Sequence, residues 1–368
     1  MIRRKLINYA ESSCDFRIGF GVLDELNKIV DTVVGTPKRA VIVTETDLAA
    51  TEGILVSRGL TDAGFRVSDL ALPSGERVAT LAYAQQLFDA LDGTGVTADD
   101  VIVALGGAET CGITQFCAKS WCGGTACVLI PTTLDAMATV ATAMEPLDTG
   151  SSSSMVWLPA RPALVACDLG LVAKAEPEAL RAGYLELMAA TLMDCRRAWE
   201  RFGEQIDGIL AAEEIPLVDA LCEAQSARLS VIKAPNPSSR SAVRYGVTTA
   251  RALRACLGAK VPWYRLLAEG MRFEARLATE ASDFNVEDVF LQDDYLDFMG
   301  IDELPFSLTV PRFIAALRET RFKRANRFMF SLPHSVGSIR YAVVEDELLE
   351  RHAEAYLASR ADLLDADA

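Results

Sequence analysis

The chain has 368 residues, which is long for a single hydrophobic core, so two domains are expected. Hydrophobic residues make up 51% of the chain and charged residues 24%, a composition typical of globular proteins. The net charge of −15 argues against nucleic acids and anionic membrane surfaces as partners. No apolar run approaches the roughly 20 residues that cross a bilayer, and no signal peptide is recognisable, so a cytoplasmic location is expected.

Cysteine and histidine usage narrows the chemistry further. The nine cysteines contain no Cys-x-x-Cys pair, and Cys117, Cys127 and Cys195 are among those in apolar stretches, so reduced, buried thiols are expected. The sequence has two histidines, His334 and His352. Because histidine is the most common acid–base group and metal ligand, an enzyme of this composition would rely on other groups.

The first half of the chain alternates short apolar runs with helical patterns. A strand, a turn and a helix are predicted within residues 15–35, and the polar segment 148–154 is interpreted as a loop or a disordered turn. Strand–helix alternation of this kind is typical of a right-handed, mostly parallel sheet. The further predicted strands are residues 39–44, 65–72, 101–105, 126–130 and 163–168, with a helix over residues 80–91.

From Glu176 onward, helical patterns replace the β-branched runs. The predicted helices are residues 178–201, 215–232, 248–257, 263–281 and 311–318, followed by a hairpin of residues 328–332 and 338–343. The sequence therefore predicts an α/β fold with two domains. An N-terminal Rossmann-like parallel-sheet domain covers residues 1–172, an α-helical domain covers residues 173–368, and an active-site crevice is expected between them.

The stretch from Val101 to Leu134 has the features most typical of a ligand site. One predicted strand ends at Gly106-Gly107, and the next ends at Thr132-Thr133. Because the carboxyl ends of neighbouring parallel strands face one crevice, both turns are expected to line a ligand site. The two glycines also allow the backbone to approach a pyrophosphate closely. At an earlier strand end, the hydroxyls and carboxylates of residues 44–47 are expected to cap the helix that follows.

Seven short motifs, in this order and spacing, resemble the dehydroquinate synthase family, the sugar phosphate cyclases, and more distantly the iron-containing alcohol dehydrogenases and glycerol dehydrogenase. They are VTETD (43–47), PSGE (73–76), ALGG (104–107), PTTL (131–134), PALVACD (162–168), AGYLE (182–186) and EGMRFEARL (269–277). The resemblance implies the family's two-domain fold, a homodimer, and a cyclisation that uses NAD as a transient oxidant with a divalent metal, usually zinc. The cofactor-binding positions that it implies are Gly106, Gly107, Thr132, Thr133 and Glu76.

Several functional positions of the family carry other residues in this chain. Glu109 places a new negative charge in the glycine turn, where it would repel a pyrophosphate. The two metal-binding histidines align near Val247 and with Trp263, so that Glu186 is left as the remaining ligand. Since zinc needs three or four ligands, the sequence predicts that no metal is bound and that no cofactor is required. NAD binding stays open as an alternative.

The remaining polar groups supply candidates for new chemistry. A buried carboxylate can act as a general acid or base without a metal, and arginine suits carboxylate or phosphate groups. The predicted catalytic residues are Glu186, Arg240, Glu145 and Tyr184, with Glu109 and Asp135 as further acid–base candidates. The predicted substrate-binding residues are Arg244, Arg251, Arg265 and Thr139. For the arginines, simple solvation at the surface is the alternative.

These observations predict a repurposed, metal-independent biosynthetic enzyme of specialised metabolism. Its reaction would be cyclase- or lyase-type acid–base chemistry on a small anionic molecule, and the protein would act as a homodimer. Two alternatives remain open: a catalytically inactive homologue that serves as a partner or binding subunit, and an NAD-dependent sugar phosphate cyclase. Convergence of the new polar groups in one pocket would favour an enzyme over an inactive homologue.

Overall fold

A computed structural model describes residues 2–35, 38–74, 77–150, 152–320 and 328–366 of the chain. The chain divides into two compact units. The first unit comprises residues 1–183 and 212–226, and the second comprises residues 184–211 and 227–368. Two of the divisions, at residues 183/184 and 226/227, fall inside helices, whereas the division at 211/212 falls in the short turn between two helices.

The first unit is built on strands that form one large sheet and one small hairpin. The strands are β1 (Arg3–Asn8), β2 (Ser13–Gly19), β3 (Arg39–Glu45), β4 (Arg66–Leu72), β5 (Val101–Gly106), β6 (Ala126–Pro131), β7 (Met144–Thr149), β8 (Ser152–Pro159) and β9 (Leu164–Asp168). The large sheet has the order β1-β2-β9-β6-β5-β3-β4. Its neighbours pair in parallel, except that β1 is antiparallel to β2.

Helices accompany this sheet in the order expected of an α/β fold. They are α1 (Leu26–Val34), α2 (Thr46–Ala49), α3 (Glu52–Asp62), α4 (Leu81–Thr94), α5 (Ala108–Ser120), α6 (Leu134–Thr139) and α7 (Leu169–Val172). Every residue of β5 is buried, as is typical of a parallel strand covered on both faces. Val30 of α1 and Leu60 of α3 pack with Val103 in one hydrophobic core. Burial of each such side chain contributes about 1.5–3 kcal/mol.

The second unit is mainly helical. Its elements, including the helices at the unit boundaries, are α8 (Pro177–Asp194), α9 (Arg196–Leu210), α10 (Glu214–Ile232), α11 (Pro237–Arg240), α12 (Val247–Leu257), α13 (Trp263–Ala281), α14 (Val286–Phe298), α15 (Val310–Thr320), β10 (Phe328–Ser335), β11 (Ser338–Val344) and α16 (Asp346–Ala366). Strands β10 and β11 form an antiparallel hairpin. The predicted fold class, a Rossmann-like sheet followed by a helical part, is confirmed.

Three local predictions were wrong. Residues 148–149 and 152–154, interpreted as parts of a loop or a disordered turn, lie instead on the antiparallel pair β7–β8, in which Thr149 pairs with Ser152. The single helix predicted over residues 178–201 is divided, because Cys195 has extended backbone angles (φ −164°, ψ 166°) between α8 and α9. The same break leaves Cys195 exposed, whereas Cys117 and Cys127 are buried as expected.

A buried charged network joins the helices of the second unit. Glu269 and Arg272 on α13 are both fully buried. The Glu269 carboxylate accepts hydrogen bonds from Arg360 Nε (2.7 Å), the Tyr356 hydroxyl (2.6 Å) and the Leu304 N–H (2.9 Å). The network therefore connects α13 to α16 and to the segment that precedes α15.

Within the described ranges, none of the helices combines the length and the apolar character that a bilayer crossing requires.

Candidate functional site

The large sheet has a topological switch point between β3 and β5. The chain leaves β3 for β4 on one side, whereas β5 lies on the other side of β3. In open α/β sheets, ligands bind in the crevice outside the carboxyl ends of the strands at such a point. Glu45 ends β3 and Gly106 ends β5, so these residues mark the candidate site of the first unit.

The Glu45 carboxylate bridges the two strand ends. Its Oε1 atom accepts hydrogen bonds from the Gly107 N–H (3.0 Å) and the Thr110 hydroxyl (2.8 Å). A carboxylate is favoured at this position because it faces the positive end of the α5 dipole. The side chain approaches so closely that a Cβ on Gly106 would lie 2.6 Å from Oε1, which explains the glycine.

This role of Glu45 corrects the prediction that residues 44–47 cap the helix that follows them. The Glu45 side chain does not cap α2, whose Asp47 N–H donates to the Ser74 hydroxyl at 3.2 Å. Glu45 instead caps α5, which begins 63 residues later at Ala108. The physical reason is that β3 and β5 are parallel neighbours, so their carboxyl ends lie side by side. The contact between Glu45 and the α5 N-terminus could not be predicted from the sequence, although VTETD and ALGG both mark strand ends.

A cavity of about 270 Å³ opens at this edge of the sheet, lined by Glu45, Val78, Gly107, Thr133 and Asp135, among others. Thr133 precedes α6 without capping it, and its hydroxyl is buried with no hydrogen-bond partner in the described part of the chain. Buried hydroxyls are rarely left unpaired, so a polar ligand atom would complete this site. A Cβ on Gly107 would lie 3.9 Å from the Thr133 hydroxyl, so these two predicted residues lie together.

The other predicted cofactor-binding residues are placed less completely. Thr132 is half-buried, and its N–H donates to the Gly106 carbonyl at 3.0 Å, so it links β6 to β5. Glu76 lies outside the described residues.

The charge of Glu109 is not isolated, contrary to the expectation from the sequence. Its carboxylate forms an ion pair with the Arg77 guanidinium and accepts a hydrogen bond from the Val78 N–H at 3.1 Å. Arg77 Nε also pairs with Asp148 at 3.0 Å. Arg77 was not identified from the sequence, and the only signal was a basic residue directly after the PSGE motif. The expected repulsion of a pyrophosphate by Glu109 is therefore reduced by Arg77, whose charge is shared with Asp148.

In the second unit, two predicted catalytic residues lie on α8. Glu186 accepts a hydrogen bond from Arg228 of α10 at 3.2 Å, which partly compensates its charge. The Tyr184 hydroxyl donates to the Leu210 carbonyl at 3.4 Å, and burial raises the pKa of this phenol. Glu186 is thus held by a cation and remains partly accessible, with 25% of its side chain exposed.

The predicted arginines differ in exposure. Arg240 ends α11 and is exposed, whereas Arg244, Arg251 and Arg265 are half-buried. Arg251 lies on α12 and Arg265 on α13, two helices that pack together.

Two further predicted residues belong to the first unit. The Thr139 hydroxyl donates to the Asp135 carbonyl at 2.7 Å, so it is used within α6. Glu145 lies on β7, and its side chain is outside the described part of the structure.

A metal site requires several donor side chains that lie close together. In the ranges that the structure describes, no group of three or more His, Cys, Asp or Glu side chains is arranged to hold a metal ion. The His352 ring forms a hydrogen bond with the Phe273 carbonyl (3.0 Å) and packs against the Phe273 ring. Burial lowers the pKa of His352. His334 is exposed on β10. The described residues thus do not match the donor set of a zinc site.

Glu274 of α13 caps the helix that carries Arg251. Its carboxylate accepts hydrogen bonds from the Gly246 N–H (2.8 Å), the Thr249 N–H (3.2 Å) and the Thr249 hydroxyl (2.9 Å). Burial raises the pKa of Glu274 to about 7 from an ordinary value of 4.5, and these hydrogen bonds oppose the shift. The folded protein therefore holds this proton more tightly than the unfolded chain does.

This pKa predicts a pH-dependent stability. The stabilisation from Glu274 is complete below pH 4.5 and is lost as the pH rises through about 7. We expect Glu274→Gln to remove this contribution, so that its free energy of unfolding falls less than that of the wild type between about pH 5 and pH 8. Urea unfolding across this range measures the difference. Glu280→Gln, an exposed change on the same helix, should keep the wild-type slope, and equal slopes in all three proteins would contradict the prediction.

Comparison of the sequence with known proteins identifies enzymes that this chain resembles. The family model for the N-terminal part of 3-dehydroquinate synthase matches residues 69–182, which include β5, α5 and β6. A 3-dehydroquinate synthase from Rippkaea orientalis is 22% identical over 349 residues, covering 93% of this chain and 94% of that enzyme. The enzyme from Caulobacter vibrioides is 26% identical over 261 residues, or 70% of each chain.

Solved structures agree. A 2-deoxy-scyllo-inosose synthase matches with a TM-score of 0.85 at 18% identity, covering 96% of this chain and all of that one. The chain thus resembles 3-dehydroquinate synthase in sequence over residues 69–182 and the sugar phosphate cyclases in fold. A 2-epi-5-epi-valiolone synthase from Streptomyces hygroscopicus has the same fold, with a TM-score of 0.81 at 17% identity and coverage of 98% and 99%. An iron-containing alcohol dehydrogenase matches at a lower TM-score of 0.67 and 13% identity, covering 96% and 99%. The resemblance seen in the seven motifs is thereby confirmed.

These relatives correct the prediction that no cofactor is required. The 2-deoxy-scyllo-inosose synthase structure contains NAD⁺ and Co²⁺ together with carbaglucose-6-phosphate, and the valiolone synthase structure contains NAD⁺ and Zn²⁺. The earlier prediction relied on the lost histidines and on the charge of Glu109. The argument from Glu109 is also weakened physically, because the Arg77 guanidinium forms an ion pair with the Glu109 carboxylate.

Proposed function

We propose that this dehydroquinate synthase-like chain binds NAD at the carboxyl ends of β3, β5 and β6 and acts on a small anionic polyol, as a sugar phosphate cyclase does. The observation that carries the proposal is the buried Thr133 hydroxyl, which has no hydrogen-bond partner among the described residues and belongs to a side chain that lines the cavity at the N-terminus of α5. A helix N-terminus beside a glycine turn favours a phosphate, and a buried hydroxyl without a partner favours a polar ligand.

The residues of the first unit fit this cofactor. Gly107 leaves the cavity open where a side chain would project toward Thr133. The Glu45 carboxylate holds the turn through the Gly107 N–H and the Thr110 hydroxyl. The Thr133 hydroxyl is available to donate to a ribose or phosphate oxygen. When bound, NAD⁺ would accept a hydride from a carbinol carbon of the substrate.

The anionic character of the substrate is proposed from the second unit. Arg240 is exposed, and Arg244, Arg251 and Arg265 are half-buried, in a chain whose net charge is −15. Arginine recognises carboxylates and phosphates through paired hydrogen bonds. The 2-deoxy-scyllo-inosose synthase neighbour, which holds a sugar phosphate analogue, supports the same class of ligand. We further propose Glu186 and Tyr184 as acid–base candidates, a homodimer, and a cytoplasmic location.

Calorimetric titration with NAD⁺ tests the cofactor site. We expect Thr133→Val to weaken binding about 10-fold, because the variant loses one hydrogen bond to the ligand. Thr61→Val, which removes an exposed hydroxyl bonded to the Ser57 carbonyl, should bind like the wild type. Absence of NAD⁺ binding to the wild type, or equal affinities for wild type and Thr133→Val, would contradict this assignment.

Turnover separates an enzyme from an inactive binding subunit. Sugar phosphates of six and seven carbons would be incubated with the protein and NAD⁺, with and without added Co²⁺ or Zn²⁺. Release of inorganic phosphate and transient absorbance of NADH would be recorded. Phosphate release that is lost in Glu186→Gln supports the proposed reaction, whereas NAD⁺ binding without turnover on any of these substrates favours the inactive subunit.

A further inference from the structure

A charged triad lies beside the proposed NAD site. It consists of Glu109 in the first turn of α5, Arg77 in the segment before α4, and Asp148 on β7. The Arg77 guanidinium pairs with both carboxylates, through Nη1 to Glu109 and through Nε to Asp148 at 3.0 Å. Glu109 also lines the 270 Å³ cavity with Gly107 and Thr133. The triad therefore borders the place where a pyrophosphate would bind.

Two opposing effects act on an anion at this turn. The N-terminus of α5 attracts negative charge, whereas the carboxylates of Glu109, Glu45 and Asp135, which line the same cavity, repel it. Arg77 is the cation that the structure places on the Glu109 carboxylate, although Arg77 also pairs with Asp148, so loss of Arg77 would shift the balance toward repulsion. Both side chains are near half exposure, at 49% for Arg77 and 41% for Glu109, and salt should weaken their effect on a bound anion.

The same contacts hold the backbone that follows the PSGE motif. The Val78 N–H donates to Glu109 at 3.1 Å, and the Asp148 N–H donates to the Ala79 carbonyl at 2.9 Å. Residues 77–79 are thus attached to α5 on one side and to β7 on the other. Val78 also lines the cavity, so this attachment shapes one of its walls.

We propose that Arg77 is a positioning residue for the dinucleotide, which neutralises Glu109 so that the turn at Gly107 accepts a pyrophosphate. This inference rests on the proposed NAD site. It assigns a joint role to Arg77 and Glu109. Arg77 is needed for NAD binding only while Glu109 carries its negative charge, and a Glu109 without its cation weakens that binding. A merely structural ion pair would affect stability without distinguishing charged from uncharged ligands.

A double-mutant cycle with Arg77→Gln, Glu109→Gln and the double variant tests this role by calorimetric titration with NAD⁺. We expect Arg77→Gln to weaken binding about 10-fold, because Glu109 then faces the pyrophosphate without its cation. Glu109→Gln should bind at least as tightly as the wild type. The double variant should recover to within about 3-fold of the wild type, since the repulsive charge is gone.

Adenosine, which carries no phosphate, is the control ligand. Its affinity should change less than about 2-fold in Arg77→Gln, because it has no charge for Glu109 to repel. Arg58→Gln, which removes an exposed arginine on α3, is the matched protein control and should bind NAD⁺ like the wild type. Unchanged NAD⁺ affinity in Arg77→Gln overturns the inference while leaving the NAD site intact. A double variant as weak as Arg77→Gln overturns the charge mechanism. A wild type that does not bind NAD⁺ overturns both this inference and the proposed function.

Discussion

Gly270→Ala is expected to lower the free energy of unfolding by about 3 kcal/mol, at the upper end of the range for overpacked sites. A Cβ on Gly270 would lie 2.1 Å from the Gly246 carbonyl oxygen and 3.0 Å from the Ala250 nitrogen. Both neighbours are backbone atoms, so the clash cannot be relieved by a side-chain rotation. Helix α12 would have to move away from α13, and Arg251 would move with it.

Urea unfolding followed by circular dichroism measures this effect. The control is Gly93→Ala in α4, where nothing lies within 4 Å of the added Cβ. That variant should be more stable than the wild type by about 0.5–1 kcal/mol, because alanine is the better helix former. A Gly270→Ala protein as stable as the wild type would show that α12 and α13 do not pack through this glycine.

Glu269→Ala is expected to cost about 3–5 kcal/mol of stability, the range for breaking a buried ion pair by removing one partner. Glu269 is fully buried and accepts hydrogen bonds from Arg360, Tyr356 and Leu304. Its removal leaves the almost fully buried Arg360 without its carboxylate on α13. Arg360 would then keep its ion pair with Glu303 (2.9 Å), but this carboxylate is 38% exposed and compensates the buried charge less well.

Glu280→Ala provides a control on the same helix. Glu280 pairs with Arg351, but the two side chains are 57% and 64% exposed, so the expected loss is about 0–1 kcal/mol. Comparable losses of stability in Glu269→Ala and Glu280→Ala would contradict the view that burial makes the Glu269 network strong. The same unfolding experiment serves both variants.

The proposed NAD site and the buried network illustrate different uses of charge in this fold. At the carboxyl ends of β3 and β5, Glu45 and Glu109 are each held by donors and remain next to a cavity. In the helical unit, Glu269 is surrounded by donors and has no exposed surface. The first arrangement leaves room for a ligand, whereas the second stabilises the packing of helices.

Much of the architecture could be predicted from the sequence because strand and helix periods are local properties. The runs at 101–105 and 126–130 became β5 and β6, and the glycine and threonine turns at their ends lie together at one cavity. The helix break at Cys195 was missed, because its flanking residues have a continuous helical pattern and only the local backbone reveals the interruption.

Residue chemistry was predicted less well than the fold. Glu109 was interpreted from its own position in the turn, without Arg77, which lies 32 residues earlier in the chain. The prediction that no cofactor is required followed in part from that isolated view, and relatives that hold NAD⁺ with Co²⁺ or Zn²⁺ contradict it.

The sequence by itself determined the alternation of strands and helices, the two strand ends at Gly106 and Thr132, and the resemblance to dehydroquinate synthase. These features depend on neighbouring residues and on the order of motifs. Only the tertiary structure decided that Glu45 caps α5, that Arg77 pairs with Glu109, and that Thr133 lies beside Gly107. The physical reason is that these contacts join segments far apart in the chain, brought together when parallel strands align their carboxyl ends.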